Sequence, residues 1–270
     1  MRGADLRPRP AGLAVYFVSL ALISTGCDLT TGPSTFAAEA DFSFTVEVTT
    51  QVRLRVAGVN GAIVVIGVPG STSLLVEGVR RVTSDSQEDA DAHLDSLEVL
   101  VEEGVEELLV STDQPAQSGG RSYVVNYEVR VPDDLAVVIE NANGAIVVLS
   151  ISNNVDIVNG NGDILLESIS GSSSVQLGNG AIDAEITLPL DGFIGMNVGN
   201  GAITLGIPQS TSAWLAAQTG VGRVNVVNLT LQDAEITNSS VSGRLGDGEG
   251  DIVLNLGNGD ITVAELIDTL

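Results

Sequence analysis

The tetrapeptide Asn143-Gly144-Ala145-Ile146 recurs along the second half of this chain, and its recurrence decides the fold. The first steps between copies are regular: 161 − 143 = 18, 179 − 161 = 18 and 200 − 179 = 21 residues. One tetrapeptide at such even steps indicates a repeat architecture. The copies begin at Asn143-Gly144, Asn161-Gly162, Asn179-Gly180, Asn200-Gly201 and Asn258-Gly259, and an earlier copy begins at Asn60-Gly61.

Each copy contains the parts of a strand, a tight corner and a second strand. Asn and Gly tolerate a positive φ, so Asn-Gly favours a sharp corner. Alternating apolar residues precede the corner, as at Val155 and Ile157, and follow it, as at Ile164 and Leu166. Such a unit buries its apolar face only by stacking on copies of itself. We therefore predict a β-solenoid of about six coils over residues 136–270, with the corner asparagines in a hydrogen-bonded ladder.

A second arrangement would give a similar period. Asn-Gly between alternating strands is also a strong signal for a β-hairpin, so an antiparallel meander is the alternative. The recurrence of one tetrapeptide on the same side of its strand favours the solenoid. The spacing breaks down between Val221 and Glu249, a gap of 28 residues, which leaves the number of coils open.

The sequence of residues 42–135 predicts a β-rich N-terminal part with one short acidic helix. Apolar and polar residues alternate from Phe42 to Val48, a pattern typical of strands. A helix is predicted near residues 84–97, where Ser84 and Gln87 have the spacing of a capping box. The whole chain is therefore predicted to be all-β apart from this helix.

The composition excludes several classes of function. The chain has 35 acidic and 11 basic residues, a formal net charge of -24, and the bases are all arginine. This charge would repel phosphates, so we expect no nucleic-acid partner. A single cysteine and a single histidine leave no disulfide framework and no metal site built from several such ligands. We predict no cofactor and no metal.

The N-terminus predicts export. Arginines precede an apolar run from Ala11 to Thr25, which is short for a membrane span and fits a signal peptide over residues 1–26. The run ends at Gly26-Cys27, which resembles the lipobox of bacterial lipoproteins, although Ser24 departs from that pattern. This resemblance implies lipid attachment at Cys27, a tether over residues 27–41 and a membrane-anchored place in the bacterial cell envelope. An ordinary cleaved signal peptide and an uncleaved anchor are the alternatives.

Residues 42–270 resemble the bacterial "putative adhesin" domain family, whose function is unknown. The resemblance rests on Val59-Asn60-Gly61-Ala62-Ile63, on Val131-Pro132-Asp133-Asp134-Leu135 and on the Asn-Gly series. It implies a β-helical fold and an exported location. It implies no activity and provides no functional residues to transfer.

These observations predict a non-enzymatic, lipid-anchored envelope protein that acts as a rigid scaffold or an adhesin-like surface for an unknown protein or surface partner. The alternative is a carbohydrate-active β-helix enzyme, a lyase or hydrolase. A calcium-binding roll at residues 246–260 is disfavoured, because Glu249 and Asn258 stand where that motif needs glycine. Trp214 is expected to be a core or cap residue.

Overall fold

The computed structural model describes residues 35–266, so the predicted signal peptide and Cys27 lie outside the described residues. Within that range the chain forms nineteen strands and one helix. The elements in the first half are β1 (Phe36–Glu47), β2 (Arg53–Ala57), β3 (Ile63–Val68), β4 (Ser73–Ser84), α1 (Gln87–Leu94), β5 (Glu98–Glu103), β6 (Glu107–Asp113) and β7 (Ser122–Pro132). They continue with β8 (Ala136–Asn143), β9 (Ile146–Leu149), β10 (Val155–Asn161), β11 (Ile164–Ile169), β12 (Ser173–Ile186) and β13 (Phe193–Ile207). The last are β14 (Ala213–Val221), β15 (Val224–Val227), β16 (Gln232–Ile236), β17 (Ser240–Leu245), β18 (Gly250–Asn258) and β19 (Ile261–Glu265).

The strands form two mainly parallel layers that meet at the Asn-Gly corners. The front sheet, which contains the strands that precede a corner, has the order β5-β6-β2-β8-β10-β12-β13-β18-β14-β17-β16. The back sheet, which contains the strands that follow a corner, has the order β1-β4-β7-β3-β9-β11-β12-β13-β19-β15. β12 and β13 run through the corner and belong to both. We call each strand–corner–strand unit a rung.

Neighbouring rungs pair in parallel and in register. Ile157 lies beside Val175, and Asn161 lies beside both Asn143 and Asn179. The hairpin meander is therefore wrong, because hairpin partners would be antiparallel. The predicted all-β class is confirmed, and the stack is solenoid-like.

The apolar residues of the repeat fill the space between the two sheets. Ile164, Leu166, Ile182 and Ile203 are each at most 1% exposed. Fully burying such a side chain stabilises a fold by about 1.5–3 kcal/mol. Because each rung contributes equivalent side chains, one continuous aliphatic core runs through the stack.

The rungs do not stack in chain order. The rung formed by β18 and β19 lies between β13 and the rung of β14 and β15. At the other end β2 and β3 lie beside β8 and β9, with β6 and β7 next in the stack. Strands from both sides of Ala136 thus belong to the same stack, and residues 35–266 fall within one compact unit.

Antiparallel strands cover the ends of the stack. β4 pairs with β7 and β1 pairs with β4 in the back sheet, while β5 pairs with β6 in the front sheet. At the far end β17 pairs with β14, and β16 pairs with β17. Covering of this kind limits edge-to-edge pairing with other chains.

Two predicted boundaries are wrong. β1 begins at Phe36, so the tether predicted over residues 27–41 is too long at its C-terminal end. The helix predicted near residues 84–97 is shorter, because Ser86 caps it by accepting a hydrogen bond from the backbone N–H of Asp89. No helix in residues 35–266 is both long and apolar enough to cross a membrane.

Candidate functional site

The corner asparagines form a row of hydrogen bonds along the stack. In each bond, Nδ2 of one asparagine donates to Oδ1 of the asparagine in the adjacent rung, at 2.7–2.9 Å. The row ends at Val221, which lies beside Asn258. The structure brings together these asparagines of the repeat, in spatial order: Asn60, Asn143, Asn161, Asn179, Asn200 and Asn258.

The corner glycines satisfy two demands at once. Gly180 has a φ of 141°, in the region that side chains rarely adopt. A Cβ on Gly180 would also lie 2.4 Å from the carbonyl oxygen of Gly162 in the adjacent rung. The same combination of positive φ and close approach recurs at Gly61, Gly144, Gly162, Gly201, Gly222 and Gly259.

A second row of glycines precedes the corners on the front sheet. A Cβ on Gly178 would lie 2.4 Å from the carbonyl oxygen of Gly160, and one on Gly199 would lie 2.5 Å from that of Gly178. Close packing between rungs therefore requires glycine here, and the missing side chains leave a depression that crosses the strands. The row in spatial order is Gly160, Gly178, Gly199, Gly257 and Gly220.

A row of amide side chains borders this depression. Gln218 Nε2 donates to Asn255 Oδ1 at 2.8 Å, and Asn255 Nδ2 donates to Asn197 Oδ1 at 2.9 Å. Gln176 occupies the equivalent register position beside Asn197. We call Gln176, Asn197, Asn255 and Gln218 the amide row.

The amide row and the glycine row together form an open groove of about 770 Å3. The groove is lined by glycines, amide side chains, Thr219 and four apolar residues, which are Val158, Leu177, Val198 and Leu256. None of the lining side chains is charged. Asn159, at the floor, donates to the carbonyl oxygen of Gly144 at 3.0 Å and is 2% exposed. The groove is thus an uncharged surface of amide, glycine and apolar residues on a chain with a net charge of -24. We call it the amide groove.

Two aromatic side chains lie on the same sheet, near the start of its strands. Trp214 is 48% exposed and Phe193 is 43% exposed, so the expectation that Trp214 is a core or cap residue is wrong. Both lie beside Asp251 on the intervening strand β18. The Phe193 ring lies across Gly195, where an added Cβ would be 2.5 Å from the ring atom Cε1.

The polar clusters outside the groove are structural. Asp89 on α1 accepts two hydrogen bonds from Arg121, at 2.6 and 2.7 Å, and a third from Ser84. The bonds from Arg121, and then that from Ser84, hold the pKa of Asp89 well below its usual range. His93 Nδ1 donates a hydrogen bond to the Asp89 carbonyl oxygen at 2.8 Å.

A buried tyrosine joins the two sheets. Tyr127 on β7 shares a 2.6 Å hydrogen bond with the hydroxyl of Thr112 on β6. Burial raises the pKa of Tyr127 to about 12. Among residues 35–266 no group of acidic, histidine and cysteine side chains is arranged to hold a metal ion.

The sequence reasoning missed the amide groove, although a signal was present. In four rungs the corner reads Gly-Asn-Gly rather than Asn-Gly alone, as at Gly178-Asn179-Gly180. An amide stands three residues before the corner asparagine in three of these rungs, as at Gln176 before Asn179. Residues that stand the same number of positions before the corner share one register position in the sheet. The recurrence of an amide three residues before the corner could therefore have predicted the amide row.

Residues 141–264 match the sequence profile of the family described as Toastrack DUF4097. No curated protein gives a significant match. Among solved structures, a putative cell adhesion protein from Clostridium sporogenes shares 15% identity over 85% of this chain and 100% of its own, with a TM-score of 0.49. A putative adhesin from Bacteroides fragilis shares 12% identity over 87% of this chain and 99% of its own, with a TM-score of 0.30.

The profile match spans the corners from Asn143 to Asn258, the series on which the resemblance to the "putative adhesin" domains was based. That resemblance is confirmed over residues 141–264, which match the Toastrack DUF4097 family.

Proposed function

We propose that this chain is a non-enzymatic protein of the bacterial cell envelope, anchored through a lipid on Cys27, whose stack is a rigid scaffold and whose amide groove is its interaction surface. The observation that carries the proposal is the groove itself, an uncharged row of amides held in register across four strands. Such an array can pair with many polar groups of a partner at once.

The stack supports the scaffold role because its surface positions are fixed by packing. The rungs from Asn60 to Asn258 are held by parallel backbone pairing, by a corner asparagine and by corner glycines that admit no side chain. A surface built on such elements is pre-organised, and binding then costs little ordering.

The side chains that line the amide groove favour a binding protein over a hydrolytic enzyme. Most glycoside hydrolases use a pair of carboxyl groups that flank the scissile bond of the substrate. The lining of the amide groove contributes amides and glycines instead. This favours the interaction protein over the carbohydrate-active enzyme.

The membrane anchor rests on the sequence alone. A basic start, the apolar run from Ala11 to Thr25 and the single cysteine after Gly26 support lipid attachment. An acidic chain does not adhere to anionic headgroups by charge, so attachment would depend on the lipid. Fatty-acid labelling of the wild type and of Cys27→Ser in a bacterial host tests this, and an unlabelled wild type would contradict it.

The interaction surface is tested by cross-linking in cells. A photoreactive residue at Gln218, on the amide row, should give discrete cross-linked products with envelope components. The matched control is a photoreactive residue at Asp183, an exposed position on the back sheet. Equal products from both positions, or products from Asp183 only, would contradict the proposal.

A further inference from the structure

We infer that the amide groove binds a neutral, extended, β-linked glycan that lies across the strands. This inference rests on the proposed function, because it names the ligand of the same surface. It is carried by the spacing of the amides, by the charge of the groove and by the two aromatic side chains on the same sheet.

The spacing favours a glycan over a peptide. One amide occurs per rung, and neighbouring strands are about 4.8 Å apart. A peptide strand places side chains on one side every ~6.6 Å, so its groups fall out of step with the amide row. A β-linked glycan in its extended form advances by close to one rung for each sugar. A chain of several sugars can therefore offer a hydroxyl group to each amide in turn.

The chemistry of the amides fits hydroxyl groups. An amide provides two N–H donors and an oxygen with two lone pairs. Asn255 uses one donor toward Asn197 and accepts one bond from Gln218. A second donor and a second lone pair are left on the same side chain. Sugar hydroxyls both donate and accept, so they can use both.

The charge excludes acidic glycans. No charged side chain lines the groove, and the chain as a whole is strongly acidic. Uronic or sulfated sugars would meet repulsion with no cation in the lining to offset it. A neutral chain meets no such penalty.

The aromatic residues supply surfaces for stacking. Phe193 and Trp214 lie on β13 and β14, two strand spacings apart with β18 between them, or about 10 Å. That interval is close to the length of a disaccharide in an extended β-linked chain. Between this pair and the amide row the outward positions are Ser174, Gly195, Val253 and Ala216, and the Phe193 ring lies over Gly195. The Phe193 ring therefore borders the amide row on the side opposite the glycine row, where it can contact a sugar chain that lies along the amides.

The single tryptophan of the chain makes the test direct. The full chain, kept soluble in a detergent without a sugar headgroup, is titrated with cellohexaose and with chitohexaose while Trp214 emission is recorded. We expect a saturable change with at least one of these neutral glycans. Hexagalacturonate, the acidic comparison, should give at least ~10-fold weaker binding.

Variants locate the site. Phe193→Ala and Asn255→Ala should each weaken binding about 10-fold, as expected for one lost stacking or hydrogen-bonding group. Gln218→Ala, at the end of the amide row, provides a second amide variant if Asn255→Ala folds poorly by circular dichroism. Phe44→Ala is the matched control, because Phe44 is an aromatic residue of similar exposure, 37%, on β1.

Three outcomes would overturn the inference: no binding of either neutral glycan, equal binding of the acidic glycan, or unchanged binding in both amide variants. If the glycans fail while cross-linking from Gln218 still succeeds, the ligand class is wrong and the proposed interaction surface stands. If both experiments fail, the proposed function is wrong as well.

Discussion

Asn179 donates a hydrogen bond from Nδ2 to Oδ1 of Asn161 across 2.8 Å, and its own Oδ1 accepts one from Asn200 at 2.9 Å. The three residues are 18 and 21 positions apart in the chain, yet they occupy equivalent corners of adjacent rungs. The bonds are solvent-exposed, so water can replace part of what they contribute. The row therefore fixes the register of the corners more than it stabilises the fold.

Replacing Asn179, near the centre of the asparagine row, should lower the free energy of unfolding only modestly. Asn179→Ala removes two side-chain hydrogen bonds, and a net contribution of about 0.5–1.5 kcal/mol is expected from their loss in an exposed setting. Urea unfolding followed by circular dichroism measures the difference. Gln117→Ala, in an exposed loop, is the control and should change the unfolding free energy little. A loss above ~3 kcal/mol would show that the row is shielded from water.

The corner glycines should be far more sensitive. Gly180→Ala introduces a Cβ at a φ of 141° and within 2.4 Å of the Gly162 carbonyl oxygen. Strain of this kind costs about 1–3 kcal/mol, and the clash adds to it. Gly70→Ala is the comparison, because Gly70 has a milder positive φ, 73°, and nothing lies within 4 Å of its Cβ position, so its loss should be smaller. Equal losses in the two variants would contradict the strain and the clash assigned to Gly180.

The hydrogen bonds that Asp89 on α1 accepts from Arg121 and Ser84 should make the stability of the fold depend on pH. The folded-state pKa of Asp89 is lowered, so its carboxylate stabilises the fold fully at pH values above the unfolded-state pKa near 3.8. This stabilisation is lost as the pH falls toward the folded-state pKa. Asp89→Asn should therefore lower the melting temperature at neutral pH, with a difference from wild type that shrinks in acid. Asp85→Asn, at a nearby exposed carboxylate, is the comparison. A pH-independent difference would argue that the side chain acts by packing.

Ionisation of Tyr127 should destabilise the fold at alkaline pH. Its folded-state pKa is raised from 10.0 to about 12, so its contribution is complete below pH 10 and is lost as pH rises through the folded value. Absorbance at alkaline pH should show that Tyr127 ionises late. Tyr127→Phe should remove that late step and, at neutral pH, cost about 1 kcal/mol by leaving Thr112 without its partner. Ionisation of all tyrosines together near pH 10 would contradict the burial of this hydroxyl.

The sequence predicted the local unit better than the way the units are arranged. Asn-Gly corners flanked by alternating apolar residues predict parallel rungs because each part has one conformation that suits it. The position of β18 between β13 and β14 could not be predicted, since its corner, Asn258-Gly259, is equivalent to all the others and fits beside any of them.

The remaining errors have local causes. Ser84 and Ser86 both precede the acidic helix, and the spacing of Ser84 to Gln87 favoured the wrong cap. Ser84 binds the Asp89 side chain instead. Trp214 was expected to be a core or cap residue, but it occupies an outward position in an alternating strand. The amide groove is not evident from the repeated tetrapeptide, because its amides stand before the corner and vary between Asn and Gln.

β13, β18 and β14 lie side by side in that order, and this arrangement builds the amide groove. Two cysteine pairs in a Cys27→Ser background test it most directly. Asn197→Cys with Asn255→Cys joins register partners on adjacent strands, a separation of about 5 Å between Cα atoms that a disulfide can span. Asn197→Cys with Gln218→Cys joins positions two strands apart, about 10 Å, which a disulfide cannot span.

Mild oxidation of the folded chain, followed by mass spectrometry, should show a disulfide in the Asn197–Asn255 pair and free thiols in the Asn197–Gln218 pair. Rungs stacked in chain order would place β14 directly beside β13. Disulfide formation in the Asn197–Gln218 pair but not in the Asn197–Asn255 pair would therefore contradict the arrangement and the groove that depends on it.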